Sequence, residues 1–235
     1  MGNQSQESAR MVERYARRLQ PGVAERYSML NSSVWEAVQE RQRALIGLLH
    51  RHCRTALRDT RVLEIGCGVG GNLLELLQLG FDAANLTANE LIHERAAVAR
   101  RNLPAAVAFH ESDALLLDLP PGSFDIVYQS TVFTSILDAS FQVELAARMW
   151  SWVRPGGGVL WYDFTFNNPR NPDVRGVQLS RIKELFPEAI IDGRRVTLAP
   201  PISRRVCRLH PALYHVINVF PFLRTHVICW IGKVS

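Results

Sequence analysis

From Arg61 to Lys233, short apolar runs alternate with stretches in which apolar residues recur every three or four positions. The first kind reads as strand and the second as a helix buried along one face. Val62-Leu63-Glu64-Ile65 is the first strand, and Leu73-Leu74-Glu75-Leu76-Leu77 lies in the helix that follows. Residues 85–90 read as a second strand before a helix over 91–102, residues 107–114 as a third, and the run through Phe124 to Tyr128 as a fourth. Residues 140–153 form a helix with Phe141, Leu145, Met149 and Trp152 on one core-facing stripe, and residues 158–164 a fifth strand. A helix over 178–186, stopped by Pro187, and strands over 189–198 and 225–233 complete the series. The alternation predicts an α/β fold of parallel strands covered by helices on both faces.

Residues 1–58 precede this pattern and read as a helical cap: a polar, arginine-rich stretch over 7–19, a break at Pro21-Gly22, and a helix over 33–57 carrying Val34, Val38, Leu45, Leu48 and Leu49. Residues 59–235 form the main domain. Within it, residues 199–223 are an insertion longer than a hairpin needs. Its prolines and apolar residues fit a packed lid or pocket wall. The adjoining basic and apolar positions also fit a segment resting on a membrane surface or covering a lipid tail.

The first strand breaks into Gly66-Cys67-Gly68-Val69-Gly70-Gly71-Asn72, a turn whose backbone can approach a nucleotide because no Cβ intervenes. Gly66, Gly68 and Gly71 satisfy the G-x-G-x-x-G spacing of dinucleotide folds, with Glu90 where a ribose-binding acid belongs. Gly66, Gly68 and Gly70 equally satisfy E/D-x-G-x-G-x-G. Downstream, Asn89-Glu90 closes the second strand, Asp113-Ala114 the third, Leu119-Pro120-Pro121-Gly122-Ser123-Phe124-Asp125 leads into the fourth, and Val153-Arg154-Pro155-Gly156-Gly157 precedes the fifth. In this order over residues 60–165, these segments resemble the class I S-adenosylmethionine-dependent methyltransferases. The resemblance implies a Rossmann-like seven-stranded mixed sheet in the order 3-2-1-4-5-7-6, with the last strand antiparallel. It implies S-adenosyl-L-methionine as cofactor, with S-adenosyl-L-homocysteine as product. By the same resemblance Glu64 and the turn (Gly66, Cys67, Gly68, Gly70 and Asn72) face the methionine part, Glu90 and Leu91 the ribose, Asp113 and Ala114 the adenine, and Gln129 and Ser130 the remaining edge. Glu90 follows Asn89 rather than closing the commoner G-x-D, and Gln129 stands where many relatives carry Asp or Asn.

The acceptor is expected beyond the carboxyl ends of the fourth and fifth strands. Phe133, Asn167, Asn168, Arg170 and Arg175 lie there, and Tyr15 and Tyr27 of the cap join them as substrate-binding candidates. Asparagines and arginines between prolines suit a polyhydroxylated or anionic acceptor, so O-methylation of a small molecule, a sugar or a lipid-linked sugar is expected. An oxygen acceptor must lose a proton, which makes Asp163, His210 and His215 the candidate bases. RNA methylation, nicotinamide-dependent oxidoreduction and cofactor binding without catalysis are the competing readings.

Composition adds little. Net charge is +5, yet Lys183 and Lys233 are the only lysines among 27 basic residues, and the arginines are dispersed among acids without an aromatic-interleaved stripe, which argues against a nucleic-acid partner. Cys53, Cys67, Cys207 and Cys229 show no metal-binding spacing; they suggest no metal site and a reducing cytoplasm. No apolar run reaches transmembrane length, leaving peripheral contact as the only membrane association expected. The number of copies in solution is not legible.

Overall fold

The computed structural model describes residues 3–18, 28–167 and 171–234. Its strands are β1 (Val62–Ile65), β2 (Leu86–Glu90), β3 (Ala108–Glu111), β4 (Phe124–Ser130), β5 (Val153–Phe164), β6 (Ile190–Leu198) and β7 (Arg224–Gly232). They form one sheet in the order β3-β2-β1-β4-β5-β7-β6, as the resemblance implied. β1 to β5 run parallel and β7 is antiparallel to both neighbours, so the carboxyl ends of β1 to β6 share one edge with the start of β7.

Side chains of successive strand residues alternate between two covered faces. On one, Leu63, Val127, Val159 and Trp161 pack against α5 (Ala139–Trp152) and α6 (Leu179–Leu185). On the other, Val62, Tyr128, Leu160 and Trp230 meet α2 (Ser32–His52), α3 (Gly71–Gln78) and α4 (His93–Asn102). Helix α2 buries Ala44, Leu45, Leu48 and Leu49; each fully buried leucine contributes roughly 1.5–3 kcal/mol. The segment read as one N-terminal cap therefore divides: α2 is a covering layer of the sheet, whereas α1 (Asn3–Arg18) lies over the cleft described below.

One stretch differs from its sequence reading. β5 begins at Val153 and runs through Pro155-Gly156-Gly157, with a register shift against β4 between Phe124 and Ile126. A Cβ on Gly157 would stand 2.5 Å from the Asp125 carbonyl oxygen, so only glycine admits this close strand approach. Residues 199–223, the expected lid or pocket wall, fold as two helices, α7 (Pro200–Leu209) and α8 (Ala212–Ile217). Pro200 and Pro201 occupy the first turn of α7, where a missing N–H costs no helical hydrogen bond.

Candidate active site

The turn after β1 is built on left-handed backbone. Gly66, Gly68 and Gly70 have φ of +64°, +62° and +89°. A Cβ on Gly66 would lie 2.7 Å from Val132 Cγ2, so this residue must be glycine for both conformation and space. Gly70 is held by packing instead, since a Cβ there would press on Leu103.

Glu90 ties the turn to the second strand. Its Oε2 accepts the Gly68 N–H at 2.7 Å and its Oε1 accepts the Ile92 N–H at 3.0 Å, with only 2% of the residue exposed. The Cys67 N–H reaches the Asn89 carbonyl at 2.9 Å, which locks the same two segments together. At the end of β3, Asp113 accepts the Leu115 N–H at 2.9 Å and the Ser8 hydroxyl from α1. Between them opens a cleft of about 620 Å³, partly open to solvent, at the carboxyl edge of the sheet. Gly66, Glu90, Leu91, Asp113, Ala114 and Ser130 line it, six of the twelve residues expected to hold the cofactor.

The other six stand behind it. Cys67 is packed in the core, where burial pushes its thiol pKa up. Gln129 is fully buried; its side-chain carbonyl accepts the Val132 N–H at 3.1 Å, and its amide lies 3.5 Å from the Tyr162 carbonyl, so it shapes the loop after β4. That loop contains Thr131 at φ +60°, a left-handed conformation costing a β-branched residue about 1–2 kcal/mol, which the Thr131 N–H to Tyr162 carbonyl bond of 2.8 Å helps maintain. Gly68 and Gly70 belong to the turn's backbone. Glu64 and Asn72 form a buried chain: the Asn72 amide donates to Glu64 at 2.6 Å, Arg41 of α2 donates to Asn72 at 2.6 Å, and Arg41 also pairs with Glu75 at 2.9 Å.

Helix α1 closes the cleft by specific polar contacts. Arg14 donates to Glu7 at 2.6 Å and to the Ser135 carbonyl at 3.0 Å, and Glu7 accepts the Leu137 N–H at 3.0 Å. Met11 and Tyr15 face the cavity, Tyr15 with its hydroxyl 3.3 Å from Ser135 Oγ and the Arg95 guanidinium 4.8 Å over its ring.

The expected bases and acceptor contacts are placed differently. Asp163 is fully buried on the face opposite Tyr162, under the Thr134 N–H at 3.4 Å, and does not line the cleft. His210 is exposed at the end of α7, its Nδ1 accepting the Ala212 N–H; His215, also exposed, pairs with Glu36 at 2.9 Å. Neither histidine reaches the cavity. Phe133 is wholly buried against Trp161, a core contact at 4.4 Å between ring centres. Asn167 caps its own loop by accepting the Gly176 N–H at 2.9 Å, and Arg175 is exposed with its N–H on the Thr134 carbonyl. Of this set Tyr15 alone meets the cleft, while Tyr27, Asn168 and Arg170 lie outside the described residues. Among the described residues no three metal-ligating side chains cluster.

Residues 62–157 match the family model of a methyltransferase domain. Over that stretch the chain is a methyltransferase domain. The domain is similar to phosphoethanolamine N-methyltransferase 3 of Arabidopsis thaliana, 28% identical over 119 residues that cover 48% of this chain and 22% of that protein. It is also similar to a probable chloroplastic tocopherol O-methyltransferase of Oryza sativa subsp. japonica, 24% identical over 74% of this chain and 50% of the relative. The chain thus spans between a fifth and a half of these relatives. The solved 1,6-didemethyltoxoflavin-N1-methyltransferase of Burkholderia thailandensis superposes over 100% of this chain and 92% of its own, with a TM-score of 0.65 at 18% identity. A methyltransferase from Archaeoglobus fulgidus does so over 82% and 94%, with a TM-score of 0.59 at 16% identity. At these identities the superpositions speak for the fold.

The methyltransferase domain carries two acids whose protonation affects stability. Burial pushes Glu64 from 4.5 up to about 7, against the Asn72 hydrogen bond and the Arg41 charge. Burial likewise raises Asp163 from 3.8 to about 7. A raised carboxyl binds more protons folded than unfolded, so its stabilisation is complete below the unfolded pKa and is lost as pH rises through about 7. Glu64→Gln keeps an acceptor for Asn72 and removes Glu64's part of this loss. Urea denaturation should show the variant more stable than the parent by about 1 kcal/mol above neutrality, with the difference vanishing in mild acid. Equal stability at both pH values would mean that Glu64 is not held protonated.

Proposed function

We propose that the protein transfers a methyl group from S-adenosylmethionine to a hydroxyl oxygen of a small-molecule acceptor, with a sugar or lipid-linked sugar as the leading class. The observation that carries this reading is the cleft where Gly66, Glu90 and Asp113 converge beneath α1. The residues fit the cofactor: the turn leaves no room for a Cβ at Gly66, and each Glu90 oxygen accepts one hydrogen bond and keeps a lone pair for a ribose hydroxyl. Bound there, the cofactor supplies a methyl group on a sulfonium, ready for in-line displacement. Ala114 offers a backbone N–H and Asp113 a carboxylate to the adenine edge, and Tyr15 and Met11 exclude water from above.

Alignment supplies most of the acceleration in such a transfer, and a neutral base helps an oxygen acceptor lose its proton. His226, like the three bases expected from sequence, does not line the cleft, although it stands at the same edge of the sheet. It pairs with Phe164 at the carboxyl edge of the sheet, stacks on Tyr162 with ring centres 5.1 Å apart, and has Nδ1 3.0 Å from the Thr225 hydroxyl. Burial lowers its pKa to about 4, which keeps the imidazole unprotonated near neutrality.

Calorimetric titration with S-adenosylhomocysteine, with NAD and NADP as controls, tests the cofactor. Methyl transfer to hydroxylated, amino and carbon acceptors then tests the reaction. The expected result is binding of the first ligand alone and transfer to oxygen. Exclusive nicotinamide binding would overturn the cofactor, and transfer only to nitrogen or carbon would overturn the acceptor class.

A further inference from the structure

The helical hairpin α7–α8 has its large apolar side chains on the outside. Inward, Tyr214 is wholly buried, its hydroxyl donating to Glu40 at 2.7 Å and accepting the Leu198 N–H at 3.2 Å, and Arg224 donates to the Asn218 carbonyl at 2.6 Å. These bonds fix the hairpin to α2 and to the sheet edge. Meanwhile Leu209 is 81% exposed, Val216 63%, Val219 67%, Phe220 50% and Phe222 71%, and the rings of Phe220 and Phe222 stand 5.7 Å apart. Held rigid by their neighbours, these residues present an apolar surface to water rather than collapsing inward, and contiguous exposure of that kind marks an interaction site.

The acids that meet the hairpin, Glu36 and Glu40 of α2, pair with His215 at 2.9 Å and the Tyr214 hydroxyl at 2.7 Å, and the exposed outer charge is basic. Arg204, Arg205 and Arg208 are exposed on the outer side of α7. After Asp192 the chain contains no further Asp or Glu, so the hairpin itself carries no acid beside these three arginines. Aromatic and aliphatic residues beside arginines match an anionic lipid interface, where the apolar groups enter the headgroup boundary and the guanidinium groups meet phosphates. A second copy of the chain would bring like charges together across a self-complementary contact. An RNA strand would leave Leu209, Val216 and Val219 without a stacking partner. No helix among the described residues is long and apolar enough to cross a membrane, so the contact is a surface one.

We propose that the α7–α8 hairpin docks the protein on an anionic membrane surface, with Phe220 and Phe222 inserted and Arg204, Arg205 and Arg208 facing lipid phosphates. Docking stands independently of the acceptor proposed above. It turns the carboxyl edge of the sheet toward the lipid, because the hairpin leaves the end of β6 and returns at the start of β7.

Flotation of the full chain with vesicles of phosphatidylcholine alone, or mixed with phosphatidylserine, tests this. Binding is expected to the mixed vesicles only and to weaken with salt. Phe220→Ser/Phe222→Ser and, separately, Arg204→Gln/Arg205→Gln/Arg208→Gln should each lower it by about ten-fold or more. All five positions are exposed and away from the cofactor cleft, so melting temperature and S-adenosylhomocysteine affinity should not change. Absence of flotation, equal binding to both vesicle types, or retention of full binding in both variants would overturn the proposal. So would tight binding of a single-stranded RNA oligomer that displaces the vesicles.

Discussion

Glu90→Ala is expected to abolish measurable cofactor binding and to weaken the fold as well. In the protein the carboxylate accepts the Gly68 N–H at 2.7 Å and the Ile92 N–H at 3.0 Å, and it forms part of the cleft wall. Truncation leaves both buried amides without an acceptor, each costing about 1–3 kcal/mol. It also removes the group that would accept two ribose hydroxyls, and charge-assisted hydrogen bonds contribute about 1.5–3 kcal/mol each. The combined ligand loss corresponds to roughly 10²–10⁴-fold in dissociation constant. Calorimetry with S-adenosylhomocysteine measures the first effect and thermal denaturation the second. Glu90→Gln retains one carbonyl oxygen and should fall between the parent and the alanine variant in both. Alanine at this position with near-parental affinity would move the ribose site away from Glu90 and require a different reading of the cleft.

The strands and the cleft-lining acids were legible because both depend on local signals, whereas the strand order came with the family resemblance. Apolar alternation marks a strand, a glycine turn marks its end, and an acid at a strand's carboxyl end falls on the binding edge whatever the rest of the chain does. Phase was harder to read. Asp163 follows Tyr162 by one residue, and strand alternation therefore sends it to the opposite face, beneath Thr134, while Tyr162 faces His226. Phe133 sits in a loop that lines the cleft at Thr131 and Val132, yet its own ring completes the core against Trp161. Pro200 and Pro201 begin α7 without breaking it, because proline interrupts a helix interior and not its first turn.

What the sequence could not show is the set of partners that arrive from distant segments. Ser8 meets Asp113, and Arg14 meets the Ser135 carbonyl, across more than a hundred residues. α1 has no pronounced core stripe, and its polar residues read as solvated until the contacts of Glu7 and Arg14 are seen. His226 lies in an apolar strand and looks like filler; only pairing with β5 brings it to the edge beside Tyr162.

Arg41 is the second residue whose removal should have a large effect, and it acts from outside the cleft. Its side chain is 15% exposed and meets three groups: Asn72 at the start of α3, Glu75 one turn later, and the Tyr162 ring of β5 at 5.6 Å. Through Asn72 it also reaches Glu64 on β1. Burial already raises the pKa of both Glu64 and Glu75. Arg41→Met keeps much of the volume but leaves two buried carboxyls without their cation, for which a loss of about 3–5 kcal/mol is typical. Urea denaturation near neutrality should register that loss, and lowering the pH should shrink it as the acids take up protons. Arg41→Met/Glu75→Met should recover most of it, because an apolar pair of similar volume replaces a desolvated ion pair at little cost. S-adenosylhomocysteine affinity should fall in the single variant too, since Asn72 begins the helix that carries the glycine turn. A single variant that loses less than about 1 kcal/mol would class Arg41 with ordinary surface ion pairs and deny it any part in holding the turn.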